Sequence, residues 1–200
     1  MTTRPLALTV LLLVLAACGE GEPTATPSSR APSGGSPATS DPAEPPDGPT
    51  EALPAFPRHP ARQTSDPSGE WDLVLRDVRV SDHARFDRVV LEFTGTGSPG
   101  WSVDYVDRAV LDGSGENVTL GGRAILDIYA SGTTWPAPGY YSGPPRLEPA
   151  PGGGIAEVYV GGTFEGFTQV LAGIGGNPVP FRVFALSSPT RLVVDVLGRG

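Results

Sequence analysis

Downstream of Trp71 the chain alternates apolar and polar residues with a period of two, in short runs broken by Gly, Pro, Asp and Ser. Such runs read as half-buried strands. The pattern predicts strands at "WDLVLRDVRV" (Trp71–Val80), "DRVVLEFTG" (Asp87–Gly95), "WSVDYVD" (Trp101–Asp107), "NVTL" (Asn117–Leu120) and "RAILDIYA" (Arg123–Ala130). After a Gly/Pro-rich break come "IAEVYV" (Ile155–Val160), "FTQVLAGIG" (Phe167–Gly175), "FRVFAL" (Phe181–Leu186) and "TRLVVDVLG" (Thr190–Gly198). Val89, Leu91 and Phe93 should share one face, as should Leu192, Val194 and Val196. No window carries the i, i+3, i+4, i+7 spacing of an amphipathic helix. The expected fold is all-β, a two-sheet β-sandwich of about eight short strands, with a closed barrel as the alternative. "RFDRVVLEF" (Arg85–Phe93) and "GFTQVLAGI" (Gly166–Ile174) echo each other weakly, as equivalent strands of two sheets would.

Upstream of Trp71 the pattern changes. Residues 1–17 carry Arg4, an apolar run and then small residues, the parts of an export signal too short to span ~30 Å of hydrocarbon. "LAAC" (Leu15–Cys18) resembles the bacterial lipobox. That resemblance implies a diacylglyceryl group on the Cys18 thiol, cleavage before it, and stable attachment to the outer leaflet through a lipid anchor. Cys18 is the one cysteine of the chain, so an internal disulfide is excluded. Residues 18–69 are expected to be a lipidated cysteine and a disordered linker rich in Pro, Ser, Gly and Thr. "ALPAFP" (Ala52–Pro57) is its one apolar stretch, a candidate for packing on the domain edge. Residues 70–200 form the expected domain, long enough to bury one core.

Charge then narrows the partners. The fourteen basic residues are all arginine, and the net charge is −8. Nucleic acid needs a basic stripe, so it is not an expected partner. The same charge disfavours electrostatic docking on anionic lipid, which leaves the anchor as the expected membrane contact.

Several motifs invite a chemical reading. "GTGSPG" (Gly95–Gly100) matches G-x-G-x-x-G, but a strand pattern follows where a dinucleotide site needs a helix, so it reads as a hairpin turn. "DGSGEN" (Asp112–Asn117) spaces oxygens as calcium loops do, yet Arg123 stands where the closing acid belongs. "NVT" (Asn117–Thr119) is a sequon by pattern. His59 and His83 are the two histidines, no G-x-S-x-G elbow occurs, and no zinc-ligand set is evident. Neither a metal nor a cofactor is expected. Paired carboxylates among Asp104, Asp107 and Asp127 remain arithmetically open, but the expectation is a non-catalytic protein. The long loop "SGTTWPAPGYYSGPPRLEPAPGGG" (Ser131–Gly154) supplies the candidate ligand-binding residues. Trp135, Tyr140 and Tyr141 offer flat rings suited to sugars or a protein partner, or else they cover one open end of the sandwich.

The closing stretch "PFRVFALSSPTRLVVDVLG" (Pro180–Gly198) resembles the signature of the AMIN domain: an alternating strand, a Ser-Pro turn, then Arg-Leu-Val-Val-Asp-Val. With "FDRVVLEFTG…PGWSVDYVD" (Phe86–Asp107) and "FEGFTQVLAGIG" (Phe164–Gly175) it is similar to AMIN-like lipoproteins of GC-rich Gram-positive bacteria. The resemblance implies a β-sandwich without catalysis of its own, placed on the extracytoplasmic face of the cell membrane. It also implies binding of peptidoglycan or another wall glycan, or docking of an exported enzyme or secretion component. No amidase or secretin domain follows in this sequence, so the expectation is a stand-alone module. Arg191 and Asp195 belong to the family pattern. On their own chemistry they are equally a cross-strand polar ladder or a ligand site.

Overall fold

The computed structural model describes residues 53–198. The lipobox and Cys18, and most of the expected linker, lie outside the described residues. Ten strands form two antiparallel sheets, and no helix occurs among the described residues. The first sheet has six strands in the order β1 (Gln63–Ser65), β4 (Gly100–Val106), β5 (Ala124–Ser131), β8 (Phe167–Ile174), β7 (Ile155–Phe164) and β6 (Arg146–Leu147). The second has four: β2 (Val74–His83), β3 (Phe86–Thr94), β10 (Thr190–Leu197) and β9 (Phe181–Leu186). The all-β sandwich stands as expected.

Alternation decides which residues meet between the sheets. Val89, Leu91 and Phe93 of β3 and Leu192, Val194 and Val196 of β10 are buried in the main core. Leu126, Ile128, Val158, Val170 and Ala172 face them from the six-stranded sheet. The two echoing segments become β3 and β8, each an interior strand of a different sheet. Two polar contacts also cross between the sheets. The Gln63 side-chain amide donates to Phe181 O at 2.6 Å and accepts from Val183 N at 3.2 Å, imitating a neighbouring strand along the edge of β9. Asp87, at the start of β3, accepts from Ile155 N at the start of β7.

Four sequence expectations need correction. Residues 53–69, assigned to the linker, are part of the folded body: Gln63–Ser65 pairs with Val103–Trp101, and Phe56 lies 6.1 Å from Phe86. The Phe56 contact matches the edge packing expected of Ala52–Pro57; the β1 pairing was hidden because backbone and a lone Gln63 side chain make it. "NVTL" is not a strand; one bridge, Val110 to Asn117, closes a tight loop there. "GTGSPG" is not a hairpin turn, since it carries the chain from β3 in one sheet to β4 in the other. Its bend is held by Asp72, whose carboxylate accepts from Thr96 N, Thr96 Oγ1 and Gly97 N. These hydrogen bonds draw the Asp72 pKa below the usual carboxylate value. β7, finally, runs four residues past Val160 through Gly161 and Gly162, with a bulge between Val160 and Gly162. Glycine weakens a strand signal and marks bulges, which is why the run appeared to end early.

Candidate functional site

The outer face of the four-stranded sheet is occupied by its own side chains and by Phe56. Asp195 of β10 stands in register between Arg88 of β3 and Arg182 of β9. Its two oxygens accept from Arg88 Nε at 2.7 Å and Nη2 at 3.0 Å, and from Arg182 Nε at 2.8 Å. The guanidiniums lie against aromatic rings: Arg88 over Phe86 and Phe184, Arg182 over Phe56 at 4.4 Å. Asp195 is fully buried. Of the two readings open for Asp195, the ladder is the one realised. Arg191 is nearly buried and donates to Pro189 O.

The outer face of the six-stranded sheet is built differently. Asp127 and Tyr129 of β5 and Phe167, Gln169 and Leu171 of β8 all point to it, because they alternate with the core residues Leu126, Ile128, Val170 and Ala172. The segment 107–122 lies across part of this face. Gln169 holds it there: its Oε1 accepts from Asp112 N at 3.0 Å and its Nε2 donates to Val110 O at 3.0 Å. The same Nε2 approaches Tyr129 Oη at 2.9 Å and Asp127 Oδ1 at 3.2 Å. Burial, opposed only in part by the Gln169 hydrogen bond, pushes the Asp127 carboxyl up to about 6. Burial and the Asp127 and Asp112 charges push the Tyr129 hydroxyl well above its ordinary value.

Beside this network the sheet carries a ridge of exposed rings. Phe164 and Phe167 are cross-strand partners flanking the β7–β8 turn. The turn needs positive φ at both central residues, and Glu165 (+46°) and Gly166 (+86°) supply it. Trp71 lies against the turn, and a Cβ at Gly166 would stand 3.2 Å from its ring. Trp71 is 57% exposed, Phe164 47% and Phe167 42%. On one side of Phe167 is a cleft of about 360 Å³ walled by Asp112–Ser114, floored by Gly161 and Gly162, and closed by Phe164. On its other side is a second cleft of about 360 Å³, lined by Arg62, Trp71, Trp101, Ser102 and Ser131. Phe167 is common to both.

Two of the three rings singled out from sequence are packed against the core rather than exposed on this ridge. Tyr140 and Tyr141 pack against the main core; Tyr140 Oη bonds Thr163 Oγ1 at 3.1 Å and Tyr141 Oη donates to Pro144 O at 2.7 Å. Burial raises the Tyr141 hydroxyl pKa. Trp135 is 60% exposed, so the loop contributes one free ring rather than a three-ring platform. Asp104 sits directly across the β4–β5 ladder from Asp127, while Asp107 lies beyond the end of β4. His83 stacks on Phe86. No group of three or more His, Cys, Asp or Glu is arranged to hold a metal among the described residues. The ridge itself was missed by sequence reasoning. Its signal was "FEGF" (Phe164–Phe167), two aromatics framing a turn dipeptide.

The AMIN-like domain family model matches residues 73–198. No curated protein and no solved structure matches the chain. The matched span takes in both sheets apart from β1 and includes the Phe164–Phe167 turn, the Gln169 network and the Arg88–Asp195–Arg182 ladder. On that match, which covers more than half of its length, the chain belongs to the AMIN-like domain family.

Proposed function

We propose that the protein is a lipid-anchored, non-catalytic component of the cell envelope, and that its AMIN-like domain binds peptidoglycan or another wall glycan along the Trp71–Phe167–Phe164 ridge. The observation that carries this reading is the ridge: three exposed rings about the β7–β8 turn, with two clefts that share Phe167. Sugar rings present apolar C–H faces and polar edges. Flat aromatic faces bordered by polar groups suit both. Arg62, Ser102, Asp112 and Gln169 provide that border. A protein-docking module would favour a wider continuous apolar patch, and these polar linings interrupt the ridge.

The test is co-sedimentation of the full-length protein, in detergent, with purified sacculi. Trp71→Ala and Phe167→Ala are each expected to weaken binding about tenfold, the scale of truncating one aromatic anchor. Trp135→Ala is expected to leave binding unchanged. The opposite pattern would return the site to the Ser131–Gly154 loop, and failure of the parent protein to sediment would end the glycan reading.

The anchor has its own test. Cys18→Ser removes the acceptor thiol, so the protein should move from the membrane pellet to the soluble fraction. Equal retention of the variant in the pellet would contradict lipidation at Cys18.

A further inference from the structure

Outer-face carboxylates are not all treated alike: Asp195 and, on the six-stranded sheet, Glu157 are paired with arginine, and others are not. On the four-stranded sheet Asp195 is matched by two guanidiniums. On the six-stranded sheet no arginine forms an ion pair with Asp104, Asp112 or Asp127 among the described residues. Asp127 is half-buried behind Gln169, and Asp112 stands exposed at the wall of the glycine-floored cleft. Lining that cleft with Asp112 are Phe164 and Phe167, and Tyr129 makes a T-shaped contact with Phe167 at 6.5 Å. A carboxylate without an arginine partner, set in a cleft with aromatic rings, is an environment for an ammonium group.

We propose that the cleft between Asp112 and Phe164 is specific for a protonated primary amine on the bound glycan, so that the domain prefers amine-bearing sugars to their N-acetylated counterparts. This rests on the glycan reading above and adds a ligand chemistry to one of its two clefts. The Trp71–Trp101 side takes a neutral sugar face. The Asp112 side takes the charged substituent, with Asp112 as its direct partner and Asp127 adding negative charge from behind. A neutral acetamide there would leave Asp112 without a cation and lose the ring contact, which is how the site discriminates.

The experiment titrates the full-length protein in detergent with glucosamine oligomers and with N-acetylglucosamine oligomers of equal length, by calorimetry just below neutral pH. The amine-bearing oligomer is expected to bind about tenfold more tightly, the gain of one charge-assisted contact backed by aromatic rings. Added salt should erode that preference. Asp112→Asn and Phe164→Ala, both exposed positions, should each bring the two affinities close to parity. Equal affinities in the parent protein, or a preference untouched by both variants, would overturn the amine assignment while leaving the glycan reading standing. If neither oligomer binds and sacculi are not retained, both fall together.

Discussion

Replacing Asp195 by alanine is expected to cost about 3–5 kcal/mol of folding stability, the range for removing one side of a buried ion pair. The carboxylate is fully buried, and the side chains of Arg88 and Arg182 that grip it are each 11% exposed. Without it, two guanidiniums would remain side by side over Phe86 and Phe184, and the three hydrogen bonds from Arg88 and Arg182 to Asp195 would be lost. Both the repulsion and the lost partners act in a region that water barely reaches. The same reasoning sets a contrast. Replacing the three residues together by Met, Leu and Met should leave stability within about 2 kcal/mol of the parent, because the apolar set carries no desolvation cost. Urea unfolding monitored by tryptophan fluorescence reads both variants. A loss below about 1 kcal/mol for Asp195→Ala would mean that the ladder behaves as a solvated surface pair.

Asp127→Asn is expected to act in the other direction, and only at higher pH. Burial holds this carboxyl near pKa 6 in the folded state, well above the usual carboxylate range. A raised carboxyl pKa means that the folded protein binds the proton more tightly than the unfolded chain does. The ionised group therefore destabilises the fold above about pH 6, and that penalty fades as pH falls through 6 towards 4. Asparagine keeps an oxygen for Gln169 and carries no charge. It should stabilise by up to about 3 kcal/mol at pH 7–8 and by almost nothing below pH 4, from the shift of about two pKa units. Thermal unfolding of parent and variant across this range gives the difference curve. A difference independent of pH would show that ionisation of Asp127 is not the cause. The cost of keeping a charged Asp127 at neutral pH is the kind accepted at binding sites.

Most of the fold was legible because a half-buried antiparallel strand writes its geometry directly into alternation. β3 and β10 show this: Val89, Leu91 and Phe93 share one face as alternation predicts, as do Leu192, Val194 and Val196, and all six lie in the core. Where the contact is made by backbone or a lone side chain, alternation is silent. β1 spans only three residues and joins its sheet through β4, and the Gln63 amide leaves no trace in hydropathy. The site was less legible for a related reason. Ring-bearing loops attract notice, but Tyr140 and Tyr141 were needed to cover the core. The exposed rings instead sit on the tight Phe164–Phe167 turn and on Trp71, residues far apart in sequence that only the sheet order brings together. Asp127 was named among the acids, yet its unneutralised setting depends on Gln169 and Asp112, which spacing alone does not connect.

Residues 53–65 have a mechanical consequence. Tension arriving along the chain from the amino-terminal side first meets a clasp, in which Arg182 Nη1 donates to Pro54 O at 2.7 Å and covers Phe56. Next it loads Gln63 and the rest of β1. None of these contributes a side chain to the hydrophobic core. They can therefore let go one after another, each freed residue adding about 3.3–3.6 Å of reach, while β2 to β10 stay packed. The segment is a fuse: when the domain is gripped at one end and pulled at the other, it yields before the sandwich does.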